Sequence, residues 1–290
     1  GSAGGVCGGG SEAWGAGGGA APSPDAPPPL PPHTPVVPSL EAVDRALACL
    51  PFSLTDGQAA ALGEVLDDIG AARRDSRDVH DAGDVPASPP APPMARLLQG
   101  DVGSGKTVVA LLALLAVAGG GGQGALMAPT EVLAVQLHAN LETLVARLPG
   151  DDENGGDGDD ASSIPLHARR PTIALLTGST RAAERRRTLA ALAAGQVDII
   201  VGTHALVSGG VTFSNLALAV VDEQHRFGVS QRVALKDKTN AEGDAGTAAA
   251  DARDVLPDVL VMTATPIPRS LALTVYGDLD VTVLDELPPG

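Results

Sequence analysis

The chain has 290 residues, 44% hydrophobic and only 2% aromatic, with two cysteines and a formal net charge of −16. This length admits one or two domains, and Cys7 and Cys49, with no CxxC or His–Cys spacing, exclude a disulfide framework or thiolate zinc cluster and fit a reducing compartment. The longest apolar run, Val108–Ala118, is too short to cross a bilayer, and so acidic a total, taken whole, counts against a nucleic-acid-binding protein.

Residues 1–38 are dominated by Gly, Ala and Pro and cannot bury enough apolar surface to offset chain entropy, so folding is expected from Ser39 onward. Leu40, Val43, Leu47 and Leu50 recur at helical spacing and predict a lead-in helix over 39–50. Read locally, Phe52 is a core staple and Thr55 a cap for a helix beginning near Asp56. Residues 67–93 end in a Pro/Ala run and read as a flexible insert.

A strand over 96–99 leads into Gly100-Asp-Val-Gly-Ser-Gly-Lys-Thr107 and a helix over 105–118. Strand, glycine loop and helix in the pattern GxxxxGK[ST] make a phosphate-binding P-loop. Gly100, Gly103 and Gly105 let the backbone turn tightly and aim N–H groups at one anion, while the helix points its positive dipole end at the same place. The whole loop, including Asp101, Val102 and Ser104, is assigned to nucleotide. Lys106 is expected to reach the β- and γ-phosphates, and the Thr107 hydroxyl to ligate Mg²⁺.

Three further apolar strands end in small polar residues: 124–128 in Pro129-Thr130, 172–176 in Thr177-Gly178-Ser179, and 197–201 in Gly202-Thr203-His204. Such residues allow close backbone approach to phosphates, although Thr130, Ser179 and Thr203 equally suit helix caps. Helices are expected over 131–147 and 180–194; the second carries a basic cluster, Arg181 and Arg185–Arg187, readable as a solvated face. Between them, residues 150–165 form an acidic, Gly-rich insert. The run 216–221 then delivers Asp222 and Glu223 at the end of a buried parallel strand. Asp222 is placed to hold Mg²⁺ and Glu223 to orient and deprotonate water. A helix over 229–236, an insert over 239–257, strands at 259–263 and 280–284 and a helix over 267–275 complete the order. This alternation predicts an α/β fold, a parallel sheet with helices on both faces and the ligand at the carboxyl ends of the strands.

Asp222-Glu-Gln-His225 is a DExH box, and Thr263-Ala-Thr265 has the form of helicase motif III. Together with Leu97–Thr107, Ala128-Pro-Thr-Glu131, Asp222-Glu-Gln-His-Arg-Phe-Gly-Val229, Thr263-Ala-Thr-Pro-Ile-Pro-Arg269 and Tyr276-Gly-Asp-Leu-Asp280, they resemble the first RecA-like motor lobe of the RecG family of superfamily 2 DNA helicases. The resemblance runs from about Leu50 to Gly290. The transcription-repair coupling family Mfd shares Arg226-Phe-Gly-Val229 but usually has tyrosine at the position of Ser104 and a DEEQ box. The RecG resemblance implies ATP and Mg²⁺ as cofactors, and adenine recognition by Phe52, Thr55 and Gln58. It further implies that Pro129, Thr130, Gly178, Ser179, Gly202, Thr203 and His204 grip one DNA strand. By the same resemblance His225 is expected to join Lys106, Asp222 and Glu223 as a catalytic residue, and Gln224, Arg226, Thr263, Ala264, Thr265 and Arg269 to couple the γ-phosphate site to motif III.

The inserts account for most of the charge: residues 67–84 carry six Asp against three Arg, 150–165 six acids, and 239–258 five acids against one Arg. The acidity is therefore expected to lie off the DNA path. The domain reading is an unfolded segment over 1–38 and one lobe over 39–290, without a membrane partner. The family's second RecA-like lobe and wedge domain are the expected partners, with branched or forked DNA as substrate. Two alternatives stand: a duplex translocase of the coupling type that does not separate strands, and a P-loop phosphotransferase. Gly/Ala/Asp-rich inserts suggest a GC-rich eukaryote, hence plastid or mitochondrion, with a bacterial cytoplasm as the other reading.

Overall fold

The structure, a computed structural model, describes residue 1 and residues 36–74, 93–149, 169–206, 210–222, 257–265 and 279–286. Among the described residues, seven strands form a single sheet: β1 (Ala95–Gly100), β2 (Gln123–Met127), β3 (Ile173–Leu176), β4 (Ile199–Gly202), β5 (Leu216–Asp222), β6 (Asp258–Thr263) and β7 (Asp280–Leu284). Their order across the sheet is β3-β4-β2-β5-β6-β1-β7, and every pairing is parallel. Helices α1 (Leu40–Cys49), α2 (Asp56–Arg74), α3 (Lys106–Gly119), α4 (Glu131–Arg147) and α5 (Ala182–Ala193) cover it. The expected helices over 229–236 and 267–275 lie outside the described residues.

The strands bury both faces, and their residues divide with period two, as a pleated sheet requires. Leu98, Leu126, Ile199, Val201, Leu218, Val220, Leu260 and Met262 face the core built with α1 to α4. Leu97, Ala125, Met127, Ile200, Ala219, Val221 and Val261 face the second core, with Phe213 and Leu192 of α5. Helix α3 explains the longest apolar run, because every residue from Val109 to Ala118 is buried. It sits under other helices as well as on the sheet. Burying each leucine of this run contributes roughly 1.5–3 kcal/mol.

Helix α1 forms where expected, capped by the Ser39 hydroxyl, which accepts from the Ala42 N–H at 3.2 Å. Its contact stripe differs from the one expected: Leu40 is 63% exposed, and the buried residues are Ala42, Val43 and Ala46. Small side chains win because α1 lies close against the end of α3, where a Cβ on Gly119 would come within 2.6 Å of the Ala42 Cβ. The folded part also begins earlier than Ser39, since Val36 is only 2% exposed and packs over Gly120 and Gly122.

Asp68, read as part of an insert, and Asp258, counted with the charge of another, are structural instead. Helix α2 runs on to Arg74, and from it Asp68 accepts from the Arg96 Nε at 2.8 Å while Glu64 accepts from the Arg96 Nη1 at 2.8 Å. The same Nη1 donates to the Thr282 Oγ1 at 2.6 Å, so one buried guanidinium ties α2, β1 and β7 together. Asp258, at the start of β6, is fully buried and accepts from the Met94 N–H at 2.7 Å. Part of the negative charge therefore belongs to the fold. Cys49 is a free thiol whose Sγ donates to the Arg147 carbonyl; Cys7 lies outside the described residues.

Candidate functional site

Because all seven strands run the same way, every described strand-end segment singled out in the sequence emerges on one edge of the sheet. Gly100 ends β1, Ala128 follows β2, Thr177 follows β3, Thr203 follows β4, Asp222 ends β5 and Thr263 ends β6. Strand order then sorts them. Met262 of β6 pairs with Leu98 of β1 on one side and with Asp222 of β5 on the other. The P-loop strand and the Asp222 strand thus stand two strand spacings apart, about 10 Å, with Thr263-Ala-Thr265 between them. On the other half, Met127, Gly202 and Leu176 share one row of the sheet, which sets the ends of β2, β4 and β3 side by side.

In the P-loop, Gly103 has φ 87° and Gly105 φ 89°, a left-handed backbone that side-chain-bearing residues adopt only under strain. Gly105 is the N-cap of α3 and no side chain caps that helix, so its first N–H groups face the loop. The Lys106 Nζ donates to the carbonyls of Gly100 at 2.6 Å and Asp101 at 2.8 Å, bending the ammonium over the loop. Ser104 is buried, and its Oγ makes no hydrogen bond among the described residues. Uncapped N–H groups, an ammonium and an unsatisfied hydroxyl gathered round one turn fit a polyphosphate.

Helix α2 begins beside this loop. The Thr55 hydroxyl accepts from the Gln58 N–H at 3.2 Å, and the Gln58 Oε1 accepts from the Thr55 N–H at 3.1 Å. This reciprocal pair is a capping box, so Thr55 does cap the helix. Gln58 is 3% exposed, and its Nε2 donates to the Ser104 carbonyl at 2.9 Å. Phe52 is 49% exposed rather than a core staple. Glu286, just past β7, accepts from the Gly57 N–H at 3.3 Å; no local pattern announces this contact, which joins residues 229 apart in sequence.

On the β2-β4-β3 half, Thr130 caps α4 by accepting from the Leu133 N–H at 3.3 Å. Ser179 does not cap α5, whose N-cap is Arg181; its Oγ pairs with the Thr177 Oγ1 at 2.9 Å. Thr203 is buried and accepts a long 3.5 Å bond from the Ala205 N–H, while His204 is exposed. A Cβ on Gly178 would lie 2.8 Å from the Glu131 Oε1, so the loop after β3 reaches the first turn of α4 across β4. In motif III the Thr263 and Thr265 hydroxyls bond at 2.9 Å and the Thr265 N–H donates to the Thr263 Oγ1 at 3.1 Å. Glu223, Gln224, His225, Arg226 and Arg269 lie outside the described residues.

A parallel sheet with a P-loop after β1, an acid ending β5 and a hydroxyl motif on the strand between them defines a RecA-like P-loop NTPase lobe. The sequence model of the DEAD/DEAH box helicases matches residues 91–274, and the chain belongs to that family. It is similar to the ATP-dependent DNA helicase RecG of Streptococcus pneumoniae, 43% identical over 87% of this chain and 29% of the relative. It is likewise similar to that of Synechocystis, 44% identical over 86% of this chain and 24% of the relative. Among solved structures, RecG bound to a three-way DNA junction matches at 35% identity and TM-score 0.60, over 89% of this chain and 27% of that one. The helicase MrfA bound to DNA, at 16% identity and TM-score 0.54, shares the fold. The chain thus spans less than a third of the length of these relatives.

Proposed function

We propose that this chain is the ATP-binding lobe of an ATP-dependent DNA helicase of the RecG type, acting on branched DNA. The observation that carries this reading is the division of one sheet edge into two adjoining halves. The β1-β6-β5 half supplies the P-loop, motif III and Asp222; the β2-β4-β3 half supplies three loops of glycine and hydroxyl residues. The nucleotide half and the loop half thus share one edge of one sheet.

ATP fits the loop described above, with Mg²⁺ held by Thr107 and Asp222; the metal would neutralise charge on the phosphates. Lys106 would leave the Gly100 and Asp101 carbonyls to meet the β- and γ-phosphates, Glu223 would orient and deprotonate water, and Phe52 and Gln58 would meet the adenine, Gln58 by turning from its bonds to Thr55 and Ser104. Thr130, Ser179 and Thr203 would hold one DNA strand by its phosphates. A second RecA-like lobe would supply the arginine that stabilises the transition state, an addition worth roughly 10³–10⁵ in rate in related NTPases. A wedge domain would divide the fork.

The test is ATP hydrolysis by the intact protein with and without forked DNA, beside strand displacement on the same fork. Fork-stimulated hydrolysis with strand separation is expected, and Lys106→Ala should lower it roughly a hundredfold or more by deleting a preorganised charge. Stimulation without separation would move the reading to a duplex translocase, and no stimulation would remove DNA from it.

A further inference from the structure

We propose that the N-terminal end of α5 is a second phosphate-backbone contact, formed by the exposed Arg181, Arg186 and Arg187 beside the partly buried Arg185. It would extend the DNA path beyond the edge strand β3. The proposal rests on the reading above, that the loops after β2, β4 and β3 hold DNA.

Three observations carry it. The first is sign. In a chain of net charge −16, the stretch Arg181–Arg187 places four arginines against one acid, Glu184, and among the described residues none of the four is in an ion pair. The second is place. Helix α5 begins where the Thr177-Gly-Ser179 loop ends, and β3 is the outermost strand on that side of the sheet. The arginines thus continue the row formed by the β2, β4 and β3 loops. Arg181, Arg186 and Arg187 are exposed and Arg185 partly so, while Leu192 anchors the helix in the second core.

The third is that the arrangement opposes local electrostatics. A helix N-terminus favours acids, each worth about 0.3–1 kcal/mol there, and disfavours cations. Here the N-cap position is itself an arginine, and no side chain caps the helix. Uncapped N–H groups and the Arg181 guanidinium therefore share the start of the helix, where a cation is unfavourable until an anion arrives, and Arg186 and Arg187 add positive charge one turn further along. Local rules broken without a packing gain mark functional positions. Repeated anions in line with the neighbouring loops are the phosphates of a nucleic-acid backbone, and guanidinium forks meet them without reading sequence.

The experiment measures affinity of the intact protein for forked DNA across a salt series, comparing wild type with the triple variant Arg181→Gln, Arg186→Gln, Arg187→Gln and its Arg→Lys counterpart. Each phosphate contact contributes about 0.9 to the slope of log K against log salt on duplex. The glutamine variant should therefore lose about 2 to 3 from that slope and bind more weakly at low salt, with an unchanged thermal midpoint. The lysine variant should keep the slope. A glutamine variant with wild-type slope overturns the inference, as does weaker binding at unchanged slope. Failure of wild type itself to bind the fork would instead overturn the DNA reading of the whole edge.

Discussion

The Gln58 side-chain amide donates to the Ser104 carbonyl at 2.9 Å, joining the first turn of α2 to the P-loop. The contact exists because Gly105 has no side chain: a Cβ there would stand 2.2 Å from the Gln58 Nε2. Gly103 shares the positive φ, yet a Cβ on it would meet nothing within 4 Å. Two glycines of one motif are therefore needed for different reasons.

Alanine substitution separates those reasons. Gly103→Ala should cost about 1–2 kcal/mol of stability, the strain of a left-handed alanine, and weaken ATP binding modestly. Gly105→Ala adds a collision with Gln58 and should cost more stability and far more affinity. Urea unfolding and nucleotide titration of both variants check this; equal effects would mean that the Gln58 contact is not what requires glycine at 105.

The paired acids should divide the work of hydrolysis. Glu223→Gln should still bind Mg-ATP, because Asp222 and Thr107 remain, but turn it over very slowly for want of a base. Asp222→Asn should weaken binding of Mg-ATP itself. Equal loss of nucleotide affinity in both variants would refute the division.

Arg96 holds α2 to the sheet through two carboxylates and Thr282. Arg96→Met keeps the apolar stem but leaves Glu64 and Asp68 without their partner. Both carboxylates reach solvent, so the loss should be about 1–3 kcal/mol, below that of a fully buried pair. Denaturant unfolding gives the number; a wild-type midpoint would show that apolar packing alone seats α2.

Asp198 provides a pH test. Burial pushes its carboxyl above the ordinary 3.8, with the Thr172 N–H and Arg169 pulling the other way. A raised carboxyl favours the protonated form in the fold, so its contribution to stability is full below pH 3.8 and is lost as pH rises through the folded value. The stability of wild type relative to Asp198→Asn, which does not titrate, should therefore decline as pH rises above the ordinary 3.8. Unfolding of both at several pH values across that range checks it; a relative stability that rises with pH would mean that the Arg169 pairing outweighs burial.

Much of this protein is written locally in its chain. The P-loop glycines, the apolar run of α3, the strand ending in Asp222 and the alternation of strand and helix all depend on residues within one or two turns of each other, and the structure repeats them with boundaries moved by a residue or two. The failures have causes distant in the chain. Leu40 satisfied the helical period but lost its place in the core to Ala42 and Ala46, because the close approach of α1 to α3 depends on a helix some seventy residues away. Asp68 and Asp258 looked like solvated charge, since nothing near them in the chain names Arg96 or the Met94 N–H.

What the residues determined alone was the kind of each element and the chemistry at its end, because hydrogen bonding, capping and side-chain period act over a few residues. Tertiary structure decided adjacency. That β6 lies between β1 and β5, bringing Thr263 beside Gln99, and that the β2, β4 and β3 loops form one row, follow from how seven strands bury both faces at once. That constraint belongs to the whole sheet, and no single segment carries it.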